Sequence, residues 1–494
     1  MSAVDQLLNR RPAVGFAVGV VRDGSLDLFR GHGFADLASG TPVTEETVFR
    51  IGSISKTFTA VAVMQLWEQG LVDLDAPANR YLRAYRLIPA RPGDRPATLR
   101  HLLTHTAGLP EVVRTSDVFR PLFGETVRVG QPVPTLARYY GGALRLAAEP
   151  GTRFIYTDHD FTTLGQIVED VSGTPLHQYL RGHVFEPLGM ADTDLVRSAR
   201  IRERLATGYT LGSRGPRPVR DYELVTAAGG GAYSTMADLG RYVAALLGGG
   251  ANRHGTVLKP ATVAMMFEPQ YRPDPRVPGI GLAFWRGSIG GHRIVEHGGI
   301  LPGFTAELFL APDDGLGIVT YTNGARNPML WLPGETAALL AGLLGVPDGT
   351  VRTDVPQHPE VWSDICGWYR TPGRLTDLRA REMTGLGVEV FVRGGQLMLR
   401  CLSPVPVAYQ GFPLYPDDPA DPYVFRIDLS RFGIGTGRVV FSGAAGTGTT
   451  AVHFDLLPLS ARKQTAATNP RRWLAGALAA TGAALAVRRW RARR

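Results

Sequence analysis

A serine and a lysine three residues apart, Ser53 and Lys56, stand at the head of an apolar run that ends at Gly70. A serine hydroxyl is a weak nucleophile and needs a neighbouring base. A lysine amine can be that base when a desolvated pocket lowers its pKa. On a helix, residues at i and i+3 share a face, so this spacing sets the amine against the hydroxyl. A helix start also adds positive potential where the negative charge of an acyl-transfer intermediate develops. The same pattern also suits a capping serine and a surface lysine, so the chemistry needs further residues to assign it.

The elements that would position this pair can be read from periodicity. From Ala60 to Trp67 only Gln65 is polar. That is too apolar all round for a surface helix and predicts a buried central one. Residues 14–21, the turn Arg22-Asp23-Gly24-Ser25 and residues 26–30 read as a β-hairpin. Helical patterns at 98–103, 166–171 and 236–247 lie among Gly- and Pro-rich loops, and Ser234-Thr235 gives the last one a start. Strands return at 304–310 and 316–322 around Pro312-Asp313-Asp314-Gly315, and a helix over 335–344 ends at Gly345. Strands at both ends with helices between predict an α+β domain over 1–346. Its antiparallel sheet is assembled from the two ends and flanked by helices, with a helical lobe inserted. Residues 347–360 read as a linker. Short strands at 388–393, 396–401, 405–410, 423–429, 439–442 and 451–456 make 361–460 a small all-β barrel or sandwich.

The chain's net charge of +9 hints at acidic partners, but residues 462–494 carry nine arginines and lysines and no acidic residue. The body is therefore near neutral, and nucleic acid is not an expected partner. Within this tail, 473–487 is almost wholly Ala, Leu, Gly, Val and Trp, bracketed by arginines. A helix over 473–490 would be roughly 27 Å long, about one bilayer core. It reads either as a membrane-attaching helix or as a frayed Ala-rich end. Met1 to Arg11 lacks a signal-peptide pattern. The expected location is cytoplasmic, or at a membrane through the tail. Cys366 and Cys401 could form one disulfide or stand as two thiols, and they have no metal-ligand spacing. No metal or cofactor is expected.

Three further stretches bear on Ser53 and Lys56. They are His101-Leu102-Leu103-Thr104-His105-Thr106-Ala107-Gly108-Leu109-Pro110, then Pro150-Gly151-Thr152-Arg153-Phe154-Ile155-Tyr156-Thr157-Asp158, then Glu296-His297-Gly298-Gly299-Ile300. With Phe49-Arg50-Ile51-Gly52-Ser53-Ile54-Ser55-Lys56-Thr57-Phe58-Thr59-Ala60, their order and spacing resemble the serine β-lactamase-like family. That family includes class C β-lactamases, D-alanyl-D-alanine carboxypeptidases and related esterases. The resemblance covers about 1–345 and implies a β-lactamase/transpeptidase-like fold.

Carried onto these positions, the resemblance implies that Ser53 is the nucleophile of an acyl-enzyme and that Lys56 assists its deprotonation. Tyr156 stands at the family's tyrosine, which relays the proton; a phenol of pKa about 10 is lowered by a neighbouring ammonium. The backbone N–H groups of Ser53 and Ile300 would form the oxyanion hole. His297 takes the place of a lysine, histidine or tryptophan and is expected to orient substrate. Gly298 and Gly299 are expected to let substrate approach the backbone. Asp158 is the departure, because the peptidases and β-lactamases usually carry asparagine there. An ionised carboxylate only accepts hydrogen bonds. Beside Lys56 it favours the ammonium, so Tyr156 carries more of the proton transfer. His105 is expected to support a loop, and the neighbours His159 and Asp160 are not expected to face each other.

The leading expectation is a serine hydrolase acting on an ester or small amide. A penicillin-binding D-Ala carboxypeptidase or β-lactamase is the alternative. A catalytically silent binding or sensor module of the same fold is the third reading. The substrate is expected to be a small ester, amide or peptide, and the sequence leaves the oligomeric state open.

Overall fold

In the computed structural model, strands from the two ends of the first domain meet in one sheet. The structure describes residues 3–347, 351, 353–402, 406–430, 435–443, 448–456 and 458–471. The early strands are β1 (Gly15–Arg22), β2 (Ser25–Asp36) and β3 (Thr41–Pro42); the late ones are β4 (Trp285–Ile289), β5 (His292–Leu301), β6 (Phe304–Ala311) and β7 (Leu316–Thr322). They run antiparallel in the order β4-β5-β6-β7-β1-β2-β3. The joint is β1 against β7, with Phe16 opposite Thr322 and Val20 opposite Ile318.

Helices cover both faces of the sheet. On one face Phe16, Val18, Val20, Phe309 and Ile318 pack with Leu7 of α1 (Ala3–Arg10) and with Trp331, Leu332 and Leu340 of the sheet's last helix. On the other, Ala17, Val21, Leu308, Val319 and Tyr321 join the main core with α2 (Ser55–Glu68), α3 (Asp158–Ser172) and α4 (Met236–Leu247). Alternate residues of one strand thus serve two different cores, which is why β1, β6 and β7 read as continuous apolar runs rather than alternating ones.

α2 is the central helix that its composition predicts, buried from Ser55 through Leu66. It is preceded by a 3₁₀ turn over Gly52–Ile54, so Ser53 lies on the turn that feeds the helix. The last helix, α5 (Pro328–Leu343), starts earlier than the sequence pattern indicates and runs through Pro333. Proline disfavours a helix interior. Burial of Trp331 and Leu332 against the sheet holds this first turn in place.

The chain divides into two compact units, with the change at about residue 350. The second holds a closed barrel of β8 (Gly367–Arg370), β9 (Gly387–Arg393), β10 (Gln396–Cys401), β11 (Phe412–Asp418), β12 (Asp421–Asp428), β13 (Thr436–Ser442), β14 (Ala451–Phe454) and β15 (Ser460–Gln464). Pairing of β8 with β15 closes it and leaves no open edge. The strand expected at 405–410 is instead a short helix, Pro406–Gln410. Proline is pre-set for a first helical turn, and the strand pairing is taken up by Phe412–Asp418. Cys366 and Cys401 are free thiols, and burial pushes Cys401 up to about 11. Among the described residues no helix is long and apolar enough to cross a membrane. The segment 473–490 lies outside the described residues.

Candidate active site

The nucleophile turn is built by a close contact between two backbones. Phe49 and Arg50 bridge to Ser234 and Tyr233, and Ile51 N–H donates to Ala232 O. Gly52 then turns with φ +53°, and a Cβ there would lie 2.7 Å from Ile300 N. From the other side, a Cβ on Gly299 would lie 1.9 Å from Ile51 O and 3.0 Å from Ser53 N. Only glycine fits both places. The amides of Ser53 and Ile300 come from the two sides of this contact.

Lys56 follows on the first turn of α2 and is fully buried. Its Nζ donates to Ser53 Oγ at 3.0 Å and to Gly229 O at 2.7 Å, and it forms a short ion pair with Asp158 Oδ1. An ammonium has three protons to give, and here it gives to a hydroxyl, a carbonyl and a carboxylate. A neutral amine could keep the last two bonds and turn its lone pair to the serine. Asp158 is the first residue of α3, whose N-cap, Thr157, accepts from His159 N and donates to Pro110 O. Gly229 lies on the short helix Ala227–Gly230, where a Cβ would come 3.0 Å from Asp158 O.

Tyr156 reaches the same place from the irregular segment ahead of α3. Lys56 Nζ is 4.9 Å from its ring centre. Trp285 stacks on the phenol ring at 5.8 Å, and the His105 ring lies 4.4 Å from it. His297 is buried on β5, with Nδ1 2.7 Å from Gly298 O. This bond assigns the proton to Nδ1 and leaves Nε2 as an acceptor. Burial, with the Lys56 charge adding to it, lowers His297 to about 3, so it stays neutral at ordinary pH.

All the residues singled out in the sequence therefore converge: Ser53, Lys56, Tyr156, Asp158, His297, Gly298, Gly299 and Ile300. The reading of the two glycines changes. The space a side chain would fill at Gly299 is taken by the nucleophile turn, and at Gly298 by the Glu307 carboxylate, 2.6 Å from a built Cβ. Both make room for protein atoms. His105, expected to support a loop, has a partner in Asp160, with Nδ1 2.8 Å from Oδ2. His159 turns the other way, to Tyr140 Oη at 2.9 Å and Glu125 at 3.5 Å, so the adjacent His159 and Asp160 do not pair. Trp285 and the Gly229 carbonyl carry no motif and were invisible in the sequence; only the run Gly229-Gly230-Gly231 signals a tight backbone approach. Among the described residues no group of three or more His, Cys, Asp or Glu is placed to hold a metal ion.

The family model described as beta-lactamase matches residues 2–343. The chain belongs to the beta-lactamase family. Esterase EstB of Burkholderia gladioli is 35% identical over 221 residues, which are 44% of this chain and 55% of the relative. The D-alanyl-D-alanine-carboxypeptidase/endopeptidase AmpH of Escherichia coli K12 is 30% identical over 239 residues, 48% of this chain and 59% of the relative. The chain thus spans a little over half the length of these relatives. Among solved structures, the octameric penicillin-binding protein homologue from Pyrococcus abyssi aligns with a TM-score of 0.58 at 24% identity, over 93% of this chain and 98% of that one. That likeness is one of fold.

Proposed function

We propose that this beta-lactamase-family chain is a serine hydrolase that works through an acyl-enzyme on Ser53, with an ester or small amide as substrate. The observation that carries the proposal is the buried Lys56 Nζ, 3.0 Å from Ser53 Oγ and anchored by Asp158 and Gly229 O. In the first step the Ser53 oxygen attacks the substrate carbonyl while its proton passes to the Tyr156–Lys56 pair. The N–H groups of Ser53 and Ile300 receive the negative oxygen. Collapse breaks the bond to the leaving group, which takes the proton back. Water then repeats the sequence on the acyl-enzyme and frees Ser53. Asp158 keeps Lys56 in place and favours its charged form, so the Tyr156 oxygen is the proton carrier and Lys56 supplies the field beside it.

The same residues favour an uncharged substrate. The Lys56 and Asp158 charges offset one another, and His297 is neutral. Around them Trp285 stacks on Tyr156. An apolar ester fits that surface, whereas a carboxylate beside the scissile bond would meet no free cation among the groups named here. The identity to an esterase points the same way.

Labelling with a fluorophosphonate and with a fluorescent penicillin, in wild type and Ser53→Ala, tests the proposal. Fluorophosphonate labelling that disappears in Ser53→Ala is the expected result. Labelling by neither reagent would leave a silent binding module and overturn the proposal. Strong penicillin labelling lost in Ser53→Ala would move the substrate class to that of the carboxypeptidases and β-lactamases.

A further inference from the structure

Tyr156 has no strand or helix of its own to hold it. The segment 147–157 that carries it is irregular and is held by the loop 105–110. Four carbonyls of that loop do the holding. His105 O accepts Ile155 N–H at 2.8 Å, Thr106 O accepts Gly151 N–H at 2.8 Å, Gly108 O accepts Ala147 N–H at 2.6 Å, and Pro110 O accepts the Thr157 hydroxyl at 3.0 Å. His105 is also one of the few non-glycine residues with positive φ, +57°. A left-handed backbone at such a residue persists only where the surroundings enforce it.

The His105 side chain then makes two contacts at once. Its ring lies 4.4 Å from the Tyr156 ring, with Phe161 at 5.2 Å and Phe154 at 5.8 Å. Its Nδ1 meets Asp160 Oδ2 at 2.8 Å, and both side chains are 1% exposed. Asp160 sits in the first turn of α3, two residues after Asp158. One imidazole therefore joins the Tyr156 ring to the helix end that carries Asp158, the partner of Lys56. We infer that the buried His105–Asp160 pair is a positioning device for Tyr156, fixing the phenol against Lys56 and Ser53 for the proton transfer.

A leucine could fill the volume, but it could not bind to α3. Burying a carboxyl there is costly, and it is tolerated because the imidazole meets it. Burial raises Asp160 well above the ordinary carboxyl range; Asp158 adds to the rise and Lys56 opposes it. The titratable and charged groups that meet the Tyr156 ring or its partners include Lys56, Asp158, Asp160, His105 and the neutral His297. The inference rests on Tyr156 being the proton carrier of the proposed hydrolase.

His105→Asn is the discriminating variant. Asparagine tolerates the left-handed backbone and keeps a donor for Asp160, but it deletes the ring that packs on Tyr156. Asp160→Leu breaks the pair from the other side, since it fills the space with no atom to accept from the imidazole, and it serves if His105→Asn does not fold by thermal melting and circular dichroism. With a neutral aryl ester, each is expected to leave KM within about threefold and to lower kcat by about 100-fold, the scale of a misplaced catalytic group. The pH profile of acylation should shift as well, which loss of a merely structural contact would not produce. In a Tyr156→Phe background the same substitution should cost under about twofold, because the group it positions is gone. Wild-type kcat and pH profile in a folded His105→Asn or Asp160→Leu would overturn the inference, and so would an equal loss with and without the Tyr156 hydroxyl. Full activity in Tyr156→Phe would instead overturn the role given to Tyr156 in the proposed function.

Discussion

Strand β5 carries buried ionisable groups on both faces, and the two faces solve the same electrostatic problem in opposite ways. On the α2 face His297 lies near the Lys56–Asp158 ion pair, where each charge is met by its opposite. On the α5 face Glu296 and Glu307 sit together, with Glu307 opposite Gly298 in the ladder. Burial raises Glu296 to about 7 and Glu307 well above the ordinary range, the latter also through repulsion from Glu296. A buried charge must be paired or neutralised. The α2 face meets each charge with its opposite. On the rear face burial favours the protonated form of the carboxyls.

The two faces also respond to pH with opposite sign. His297 has a folded pKa of about 3 against an ordinary 6.5, so the unfolded chain binds the proton more readily and stability falls as pH drops from 6.5 towards 3. Glu296 is raised from 4.5 to about 7, so the stability it lends is complete below 4.5 and is lost as pH rises through 7.

The largest expected break of this contrast is Lys56→Met. It leaves Asp158 without its cation and should cost about 3–5 kcal/mol in urea unfolding at pH 7, with ester turnover down about 10²- to 10⁴-fold. Gly298→Ala should couple the two faces. Its Cβ would lie 2.6 Å from Glu307 Oε2, and overpacking of that kind costs about 1–3 kcal/mol. The double variant with Glu307→Ala should recover part of the loss; no recovery would mean that the strand itself resists the methyl group. Asp158→Asn should leave the fold intact, since an amide oxygen still accepts from Lys56. By removing the charge that favours the ammonium, it should move the acidic limb of the pH–rate profile down by about one unit. An unmoved limb would separate Asp158 from proton transfer. Glu296→Gln should have the smallest effect on turnover, yet it should flatten the decline in melting temperature as pH rises through 7. A decline as steep as in wild type would place the rear-face titration elsewhere.

Much of the site was legible because its signals are local. Ser53 and Lys56 face each other through helical spacing, and the apolar run behind them could only be a buried helix. The pairing of early and late strands followed from their apolar runs at the two ends of the domain. What failed locally failed where neighbours override propensity. The run 405–410 reads like a strand, but the helix that replaces it begins at Pro406, a residue type pre-set for a first helical turn. Pro333 reads as a helix stop, yet the helix passes through it because Trp331 and Leu332 gain a core.

The sequence by itself determined the candidates, a serine, the lysine beside it and the carboxylate that sets this site apart, since motif order and i, i+3 spacing are written in the chain. Only the tertiary structure decided who meets Lys56 and Tyr156. Asp158 is 102 residues from Lys56 and the Gly229 carbonyl 173, and Asp160 reaches His105 across 55. Such contacts come from how helices and strands pack, and one-residue alternation along β5 then sends His297 to the catalytic face and Glu296 to the other. Residue type chooses the chemistry, and packing chooses which groups keep their charge to perform it.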